Sequence, residues 1–372
     1  MNLSYWEIKT WLTNVDFTIV GSGIVGLNAA LSLKNRFPNT KIIILEKGIL
    51  PQGASTKNAG FACFGSLSEI LDDLKSHSEE EVLNLITQRI NGLRLLRKML
   101  GDKVLNYQRL GGYELFTYEN KELYDLCRKQ QYYVNKLLKP VFSDDVFSFK
   151  TNSFNFKKIQ PEYSFNQFEG QLDTGKMMEA LLQKALNFGI KIINSCIVES
   201  FSEDLNNVKI ETNHFEFQTS KLLIATNGFA SRLINEEVKP ARAQVLITKP
   251  LKNLHIKGTF HLDRGYYYFR NIDDRILFGG GRNLDFITEE TEKFGQTELI
   301  QNQLEAILKT TILPDMPFEI EHRWSGIMGV GSQKKSIVKA INHNVFCGVR
   351  LGGMGVAIGS SVGKELADLA CQ

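Results

Sequence analysis

The sequence predicts an α/β protein: a doubly wound, mostly parallel sheet joined to a second domain built on an antiparallel sheet. Three observations carry the prediction. An apolar run at 17–20 leads into Gly21-Ser22-Gly23-Ile24-Val25-Gly26 and then into a helix-like stretch. A second apolar run, Lys41-Ile42-Ile43-Ile44-Leu45, ends on an acid, Glu46. Far downstream the pattern returns as a strand at 345–349, a glycine cluster and a last helix, with strand-rich segments filling the interval.

Each part of the first unit has a mechanical job. Gly21 allows a tight turn, Gly23 lets the backbone approach a pyrophosphate, and Gly26 lets the helix pack on the strand. The helix N-terminus offers free N–H groups and a positive dipole end to phosphates. Glu46 stands where a carboxylate binds ribose hydroxyls and repels a 2′-phosphate, which disfavours NADP. A glycine turn with no ligand is the competing reading, and it accounts for fewer of these features.

Composition sets the bounds. A chain of 372 residues favours two domains, and 43% hydrophobic with 23% charged residues is ordinary for a soluble protein. A net charge of +3 is too small to argue for nucleic acid or an anionic membrane. No apolar h-region follows the first seven residues, so no signal peptide is expected. No window approaches eighteen uninterrupted apolar residues, so no membrane span is expected either. Five scattered cysteines without a CxxC pair argue against a disulfide framework, a zinc site and a dithiol centre. The expected compartment is the cytoplasm, with no metal.

The remaining elements follow in order. A loop of small residues, Gly53-Ala54-Ser55-Thr56-Lys57-Asn58-Ala59-Gly60, comes after the first unit. Val82, Ile86, Ile90, Leu93, Leu96 and Leu100 recur at helical spacing, and Gly101 ends that helix. Residues 112–118 alternate like a strand, 123–138 read as a helix before Pro140, and 141–168 are aromatic and strand-like. Asp173 or Thr174 caps a helix that Gly189 closes. Strands are expected at 191–193, 208–217 (as a hairpin), 222–225, 245–248, 266–270 and 275–279. Thr297 caps a helix to about 309, with Pro314 and Pro317 behind it. The expected division is 1–92, 161–238 and 324–372 for the nucleotide domain, with 93–160 and 239–323 for the substrate domain.

The second glycine cluster, Gly348-Val349-Arg350-Leu351-Gly352-Gly353-Met354-Gly355, has a helix N-terminus directly after it. A reduced flavin carries negative charge near N1, and a helix dipole aimed there stabilises the reduced state. One glycine loop for a pyrophosphate and another for an isoalloxazine ring make FAD the expected cofactor over NAD.

Several motifs in order resemble those of the FAD-dependent amine and amino-acid oxidoreductases, the D-amino-acid oxidase, glycine oxidase and sarcosine oxidase group. They are Gly21–Gly26 with Glu46, the 53–60 loop, Leu223-Ile224-Ala225-Thr226-Asn227-Gly228, and Pro240-Ala241-Arg242-Ala243-Gln244-Val245. The hairpin from Tyr266-Tyr267-Tyr268-Phe269-Arg270 to Gly279-Gly280-Gly281, then Trp324-Ser325-Gly326 and the 352–355 loop, complete the set. The resemblance runs over nearly the whole chain. It implies a Rossmann-like FAD domain of the glutathione-reductase type with an antiparallel substrate domain. It also implies cofactor contacts from Gly21, Gly23, Gly26 and Glu46, and from Ser55, Lys57, Asn58 and Gly60. Val198, Ala225, Thr226 and Gly228 belong to the same set, as do Gly326, Gly352, Gly353, Met354 and Gly355.

The sequence departs from the family pattern in places. Lys57 stands where the family often has Arg, and Asn227 interrupts the usual ATG. No histidine lies in the 53–60 loop and no cysteine beside Trp324, where sarcosine oxidases attach their flavin, so non-covalent FAD is expected. The aspartate and proline usual after the tryptophan motif are replaced by Gln333-Lys334-Lys335-Ser336-Ile337.

The chemistry implied is C–N oxidation of a small amine or amino acid. Hydride passes from the α-carbon to flavin N5 and the imine then hydrolyses, with O2 or an electron carrier as acceptor. Positioning does most of this, and no general base is compulsory. An amino-acid substrate does need a carboxylate clamp. Arg350, in the glycine loop, is the first candidate, against a reading as an ion pair or cofactor contact. Tyr268 and Arg270 are the next, if strand alternation turns Tyr266, Tyr268 and Arg270 inward rather than Tyr267 and Phe269. Arg323 reads as a surface ion pair, and His261 and His322 as structural. Two other functions compete: flavin-dependent processing of a modified tRNA nucleoside, which the near-neutral charge disfavours, and a non-catalytic FAD-bound protein whose pocket the tyrosines plug.

Overall fold

The computed structural model describes residues 2–372. In the first sheet the strand order is Ile337–Ala340, Val345–Val349, Glu216–Ile224, Val15–Val20, Ile42–Leu45 and Lys191–Ile193. The last five of these pair in parallel. Ile337–Ala340 runs antiparallel at one edge, and the strands Val198–Glu203 and Val208–Thr212 continue antiparallel from Glu216–Ile224. Ile42–Leu45 is buried at every position, as a parallel strand covered on both faces must be.

The two faces are covered differently. Ile19, Ile42, Ile44 and Leu223 pack against the helices Ile24–Arg36, Thr174–Asn187 and Gly355–Leu369. Val20, Ile43, Leu45 and Ile224 pack instead on the antiparallel hairpin and the N-terminal segment, through Leu12, Val198 and Ile210. Helices Ile24–Arg36 and Gly355–Leu369 cross closely. A Cβ at Gly363 would lie 2.5 Å from the Val25 carbonyl oxygen.

The second sheet runs Ile320–Val330, Lys239–Thr248, Arg275–Gly280, Tyr267–Ile272, Thr259–Leu262, Gly112–Leu115, Glu162–Asn166 and Phe147–Thr151. It is antiparallel except for one pair, Thr259–Leu262 with Gly112–Leu115. Those strands come from separate excursions of the chain, so no hairpin turn dictates their relative direction. The expected boundary at 161 precedes Glu162–Asn166, which is bonded into this sheet, and that at 324 falls inside Ile320–Val330.

Alternation sorts the roofing strand. Tyr267 and Phe269 enter an aromatic core with Phe260, Phe278 and Leu304 of the helix Glu298–Ile307. Tyr268 takes the other face, where Val245, Leu277 and Trp324 meet Ala59 and Phe61 of the first domain. Thr297 stands at the N-cap of Glu298–Ile307 without capping it. Its hydroxyl accepts from Gln244 Nε2 at 2.9 Å.

Candidate active site

A cavity of about 500 Å³ is lined by both sheets, a size within the ~300–1,000 Å³ of small-molecule sites. At one side stand the N-termini of the two crossed helices. Neither N-cap, Gly23 or Met354, makes a side-chain capping bond, so the helix ends keep donors free. One is used: Ile24 N donates to Ser55 Oγ at 2.9 Å. Gly21 has φ +104°, and a Cβ there would lie 2.8 Å from the Ala225 oxygen. Gly26 approaches still closer, with its imagined Cβ 2.0 Å from the Gly21 oxygen. Gly21 and Gly23 line the cavity, whereas Gly26 serves packing alone.

The second loop is built to the opposite rule. A Cβ on Gly352 or Gly353 would meet no atom within 4 Å. Both residues line the cavity, as do Met354 and Gly355. Thr226, another lining residue, has a buried hydroxyl without a partner. Two donor-rich helix ends, backbone open to the cavity and an orphaned hydroxyl together fit a dinucleotide cofactor.

Glu46 is 5% exposed and lines the cavity with Val198 and Ala225. Its Oε2 accepts from Ser22 N and Oγ at 3.0 and 2.7 Å, and its Oε1 from Gly48 N at 3.1 Å. A carboxylate accepts about four hydrogen bonds, so capacity remains for a ribose hydroxyl.

The 53–60 loop is held from both sides. Asn58 accepts from Gly60 N at 2.9 Å and Thr174 Oγ1 at 2.8 Å. Trp324 Nε1 donates to the Lys57 carbonyl at 2.9 Å, and a Cβ on Gly326 would lie 2.8 Å from Lys57 Cβ. The tryptophan motif thus clamps the loop, leaving the Ser55, Lys57 and Asn58 side of it, with Gly326, facing the cavity. Gly60 and Gly228 do not line it. Each abuts a carbonyl, of Leu172 and Met328, at an imagined Cβ distance of 2.3 and 2.5 Å. Asn227 takes φ +44°, and its Oδ1 accepts from Leu351 N at 3.1 Å. This departure from the family pattern ties the strand end to the second glycine loop.

Across from the glycine loops stand Phe61, Cys63, His261 and Tyr268, with Glu69, Asp72, Arg264, Arg282 and Lys334 also in the lining. Burial pushes the Tyr268 phenol up to about 12 and the Cys63 thiol well above its ordinary value. Both groups are neutral near pH 7. His261 Nε2 lies 2.6 Å from Glu169 Oε1. Burial opposes its charge, but Glu169, with Glu69 and Glu114 behind it, raises the imidazole to about 9. Sequence reasoning missed His261 as a lining residue, along with Arg264 and Arg282. Among the described residues Arg282 has no carboxylate partner; it stacks on Phe286, 4.7 Å from the ring centre.

The candidate clamp residues have separate fates. Arg350 does not line the cavity. It takes φ +64°, its Nε donates to the Lys335 carbonyl at 3.0 Å, and its Nη1 meets Glu237 Oε2 at 3.2 Å. The guanidinium therefore pins the 331–336 loop. Arg270 is buried and does not line the cavity, although Tyr268, two residues before it, does. Arg323 donates to Gln301 at 2.5 Å and to Glu305 at 2.6 Å.

A nucleotide-binding sheet and a substrate sheet facing each other across one cavity define a cofactor-dependent oxidoreductase. Residues 16–369 match the model of the DAO family, described as FAD dependent oxidoreductase, and the chain belongs to that family. The probable oxidoreductase OrdL of Haemophilus influenzae is 21% identical, the match covering 96% of this chain and 83% of that one. The glycine oxidase structure from Geobacillus kaustophilus superposes with a TM-score of 0.77 at 18% identity, covering 96% of this chain and 94% of that one. L-proline dehydrogenase from P. horikoshii gives 0.74 at 16%, covering 96% and 93%. Among the described residues, no helix is long and apolar enough to cross a membrane, and no group of His, Cys, Asp or Glu could hold a metal ion.

Proposed function

We propose that the protein oxidises the C–N bond of a small amine or amino acid with non-covalently held FAD. The observation that carries this reading is the continuity of the cavity, from the two helix N-termini to Tyr268 and His261 of the second sheet. The bound flavin supplies the acceptor for a hydride from the carbon next to nitrogen, and the resulting imine hydrolyses in water.

The chain's own residues hold and orient. Gly21, Gly23 and the first helix end would bind the pyrophosphate, Glu46 the ribose, and the 352–355 backbone the ring system. Lys57, on the loop that Trp324 clamps, and Asn58 would hold the ring system as well. Tyr268, with Phe61, walls the substrate space and excludes water. His261, Arg264 and Arg282 place cations there, while Glu69 and Asp72 give an ammonium group a counter-charge. The electron acceptor is O2 or a carrier, and the compartment is the cytoplasm.

The test is an anaerobic absorbance spectrum of the purified protein against amines and amino acids, followed by admission of air. A yellow protein that bleaches with one substrate class supports the reading, and its rate of recovery in air separates oxidase from dehydrogenase. Flavin that no amine or amino acid bleaches tells against it.

A further inference from the structure

Two of the chain's three tryptophans, Trp6 and Trp11, stand on the surface within one short segment. The helical stretches Tyr5–Glu7 and Ile8–Leu12 follow one another there. Every residue from 4 to 11 is exposed, and only Leu12 enters the core beneath. Tyr5 is 65% exposed and Trp6 70%, with Ile8 and Trp11 exposed beside them. Single apolar side chains on a surface need no explanation, but these four lie together and form a patch.

The patch is threaded with lysines. Lys9 Nζ lies 5.6 Å from the Tyr5 ring centre and 5.8 Å from that of Trp6, and Lys191 Nζ 4.6 Å from that of Trp11. Lys191 also donates to the Thr10 carbonyl, Lys41 to that of Thr13 at 2.6 Å, and Lys34 to that of Thr40 at 2.5 Å. Those three ammonium groups meet backbone carbonyls rather than carboxylates. The acids nearby, Glu7 and Asp16, accept from the backbone N–H groups of Ser4 and Lys41, both at 2.7 Å. Four ammonium groups against two carboxylates leave the patch positive.

Tryptophan and tyrosine rings rimmed by lysines suit a layer of lipid headgroups. The rings sit among the headgroups, and the ammonium groups reach the phosphates. The location suits the same contact. Val20, Leu45 and Ala225, at or just past the C-terminal ends of the parallel strands, line the cavity. Lys41 and Lys191, which hold the aromatic segment, stand at the opposite strand ends. A surface that covers the tryptophans therefore leaves the cavity open on the far side of the sheet.

We propose that Tyr5, Trp6, Ile8 and Trp11, with Lys9, Lys41 and Lys191, dock the protein on the surface of an anionic lipid bilayer. The net charge of +3 does not decide this, because only charge within a Debye length of the membrane counts. Apolar insertion and basic attraction act together as two weak signals, so the contact is reversible and falls with salt. It is independent of the chemistry in the cavity.

The FAD-loaded protein is mixed at low salt with vesicles of phosphatidylcholine, with and without phosphatidylglycerol. Co-sedimentation and tryptophan emission report binding. The expected result is binding to the anionic vesicles with a blue shift, reversed by added salt. The double variant Trp6→Ser with Trp11→Ser weakens binding by about tenfold or more and leaves only Trp324, whose emission ignores vesicles. Lys9→Glu keeps both tryptophans and weakens binding to the anionic vesicles by about tenfold. Both variants keep the wild-type thermal midpoint, because the altered side chains are exposed. Absence of binding to anionic vesicles, equal affinity for neutral ones, or unchanged binding in the double variant overturns the proposal. So does a dimer, seen by light scattering in place of vesicle binding, that the double variant abolishes; the patch is then a contact between two copies of this chain.

Discussion

His261 and Glu169 meet in the wall of the cavity at 2.6 Å, both almost wholly buried. The same Glu169 oxygen accepts from Thr259 Oγ1 at 2.7 Å. The pair joins the strand Thr259–Leu262 to the segment just after Glu162–Asn166, and so braces the substrate sheet where it reaches the cofactor side.

The pair makes stability pH-dependent in a stated direction. His261 titrates near 9 when folded, against its ordinary 6.5. Its contribution is therefore complete below about pH 6.5 and lost as pH rises through about 9, roughly 3 kcal/mol in all. Thermal midpoints measured from pH 6 to 9.5 are expected to fall over that window. His261→Gln removes the fall. A wild-type curve flat from pH 6.5 to 9 shows that the imidazole is not held charged.

Arg242 and Glu289 form a second buried pair, with bonds of 2.8 Å from Nε and Nη2 to the two carboxylate oxygens. Gln244 Nε2 adds a bond to Glu289 at 2.9 Å. Glu289→Ala leaves the guanidinium buried and unpaired and is expected to cost about 3–5 kcal/mol. The double variant Arg242→Met with Glu289→Leu recovers most of that loss. Urea denaturation of the three proteins checks the order, and equal stability of single and double variants refutes it.

The placing of Gly21, Gly23 and Glu46 at the cavity was legible in the sequence because the geometry is local. Gly21–Gly26 and Glu46 span one strand–helix–strand unit, and their roles follow from backbone geometry in that short stretch. The Gly352–Gly353 loop was readable for the same reason. The substrate side was not. Glu169 and His261 are brought together by the one parallel pairing of the second sheet, which no local pattern signals. Arg350 reads as a ligand-facing arginine in its loop, and only its φ of +64° and the distant Glu237 turn it away from the cavity. Arg270 shows the same limit: alternation picks its strand face, while its lack of a hydrogen-bond or ion-pair partner among the described residues is a fact of tertiary structure.

Arg350 gives a test that separates positioning from substrate contact. Its bonds to Lys335 and Glu237 hold the 331–336 loop, from which Lys334 reaches the cavity lining. Arg350→Met is expected to lower stability by about 1–3 kcal/mol and to speed hydrogen exchange across 331–336. The spectral response of the flavin to acetate stays within about threefold of wild type. A carboxylate response lost along with Arg350, at unchanged exchange in the loop, would return this residue to the role of clamp.

Gly353 tests the cradle itself. A Cβ there meets no protein atom within 4 Å, and its φ lies outside the left-handed region, so alanine fits the fold without strain. Gly352 differs only in its φ of +56°, where alanine costs about 1 kcal/mol. Gly353→Ala is therefore expected to leave the apoprotein's thermal midpoint unchanged. Gly352→Ala lowers it by a few degrees. Both residues line the cavity, so both variants are expected to weaken FAD binding by about tenfold or more. Fluorescence titration of the apoproteins with FAD measures this directly. Full FAD affinity in Gly353→Ala would mean that the second glycine loop does not touch the flavin, and the reason for its open backbone would have to be sought on the substrate side.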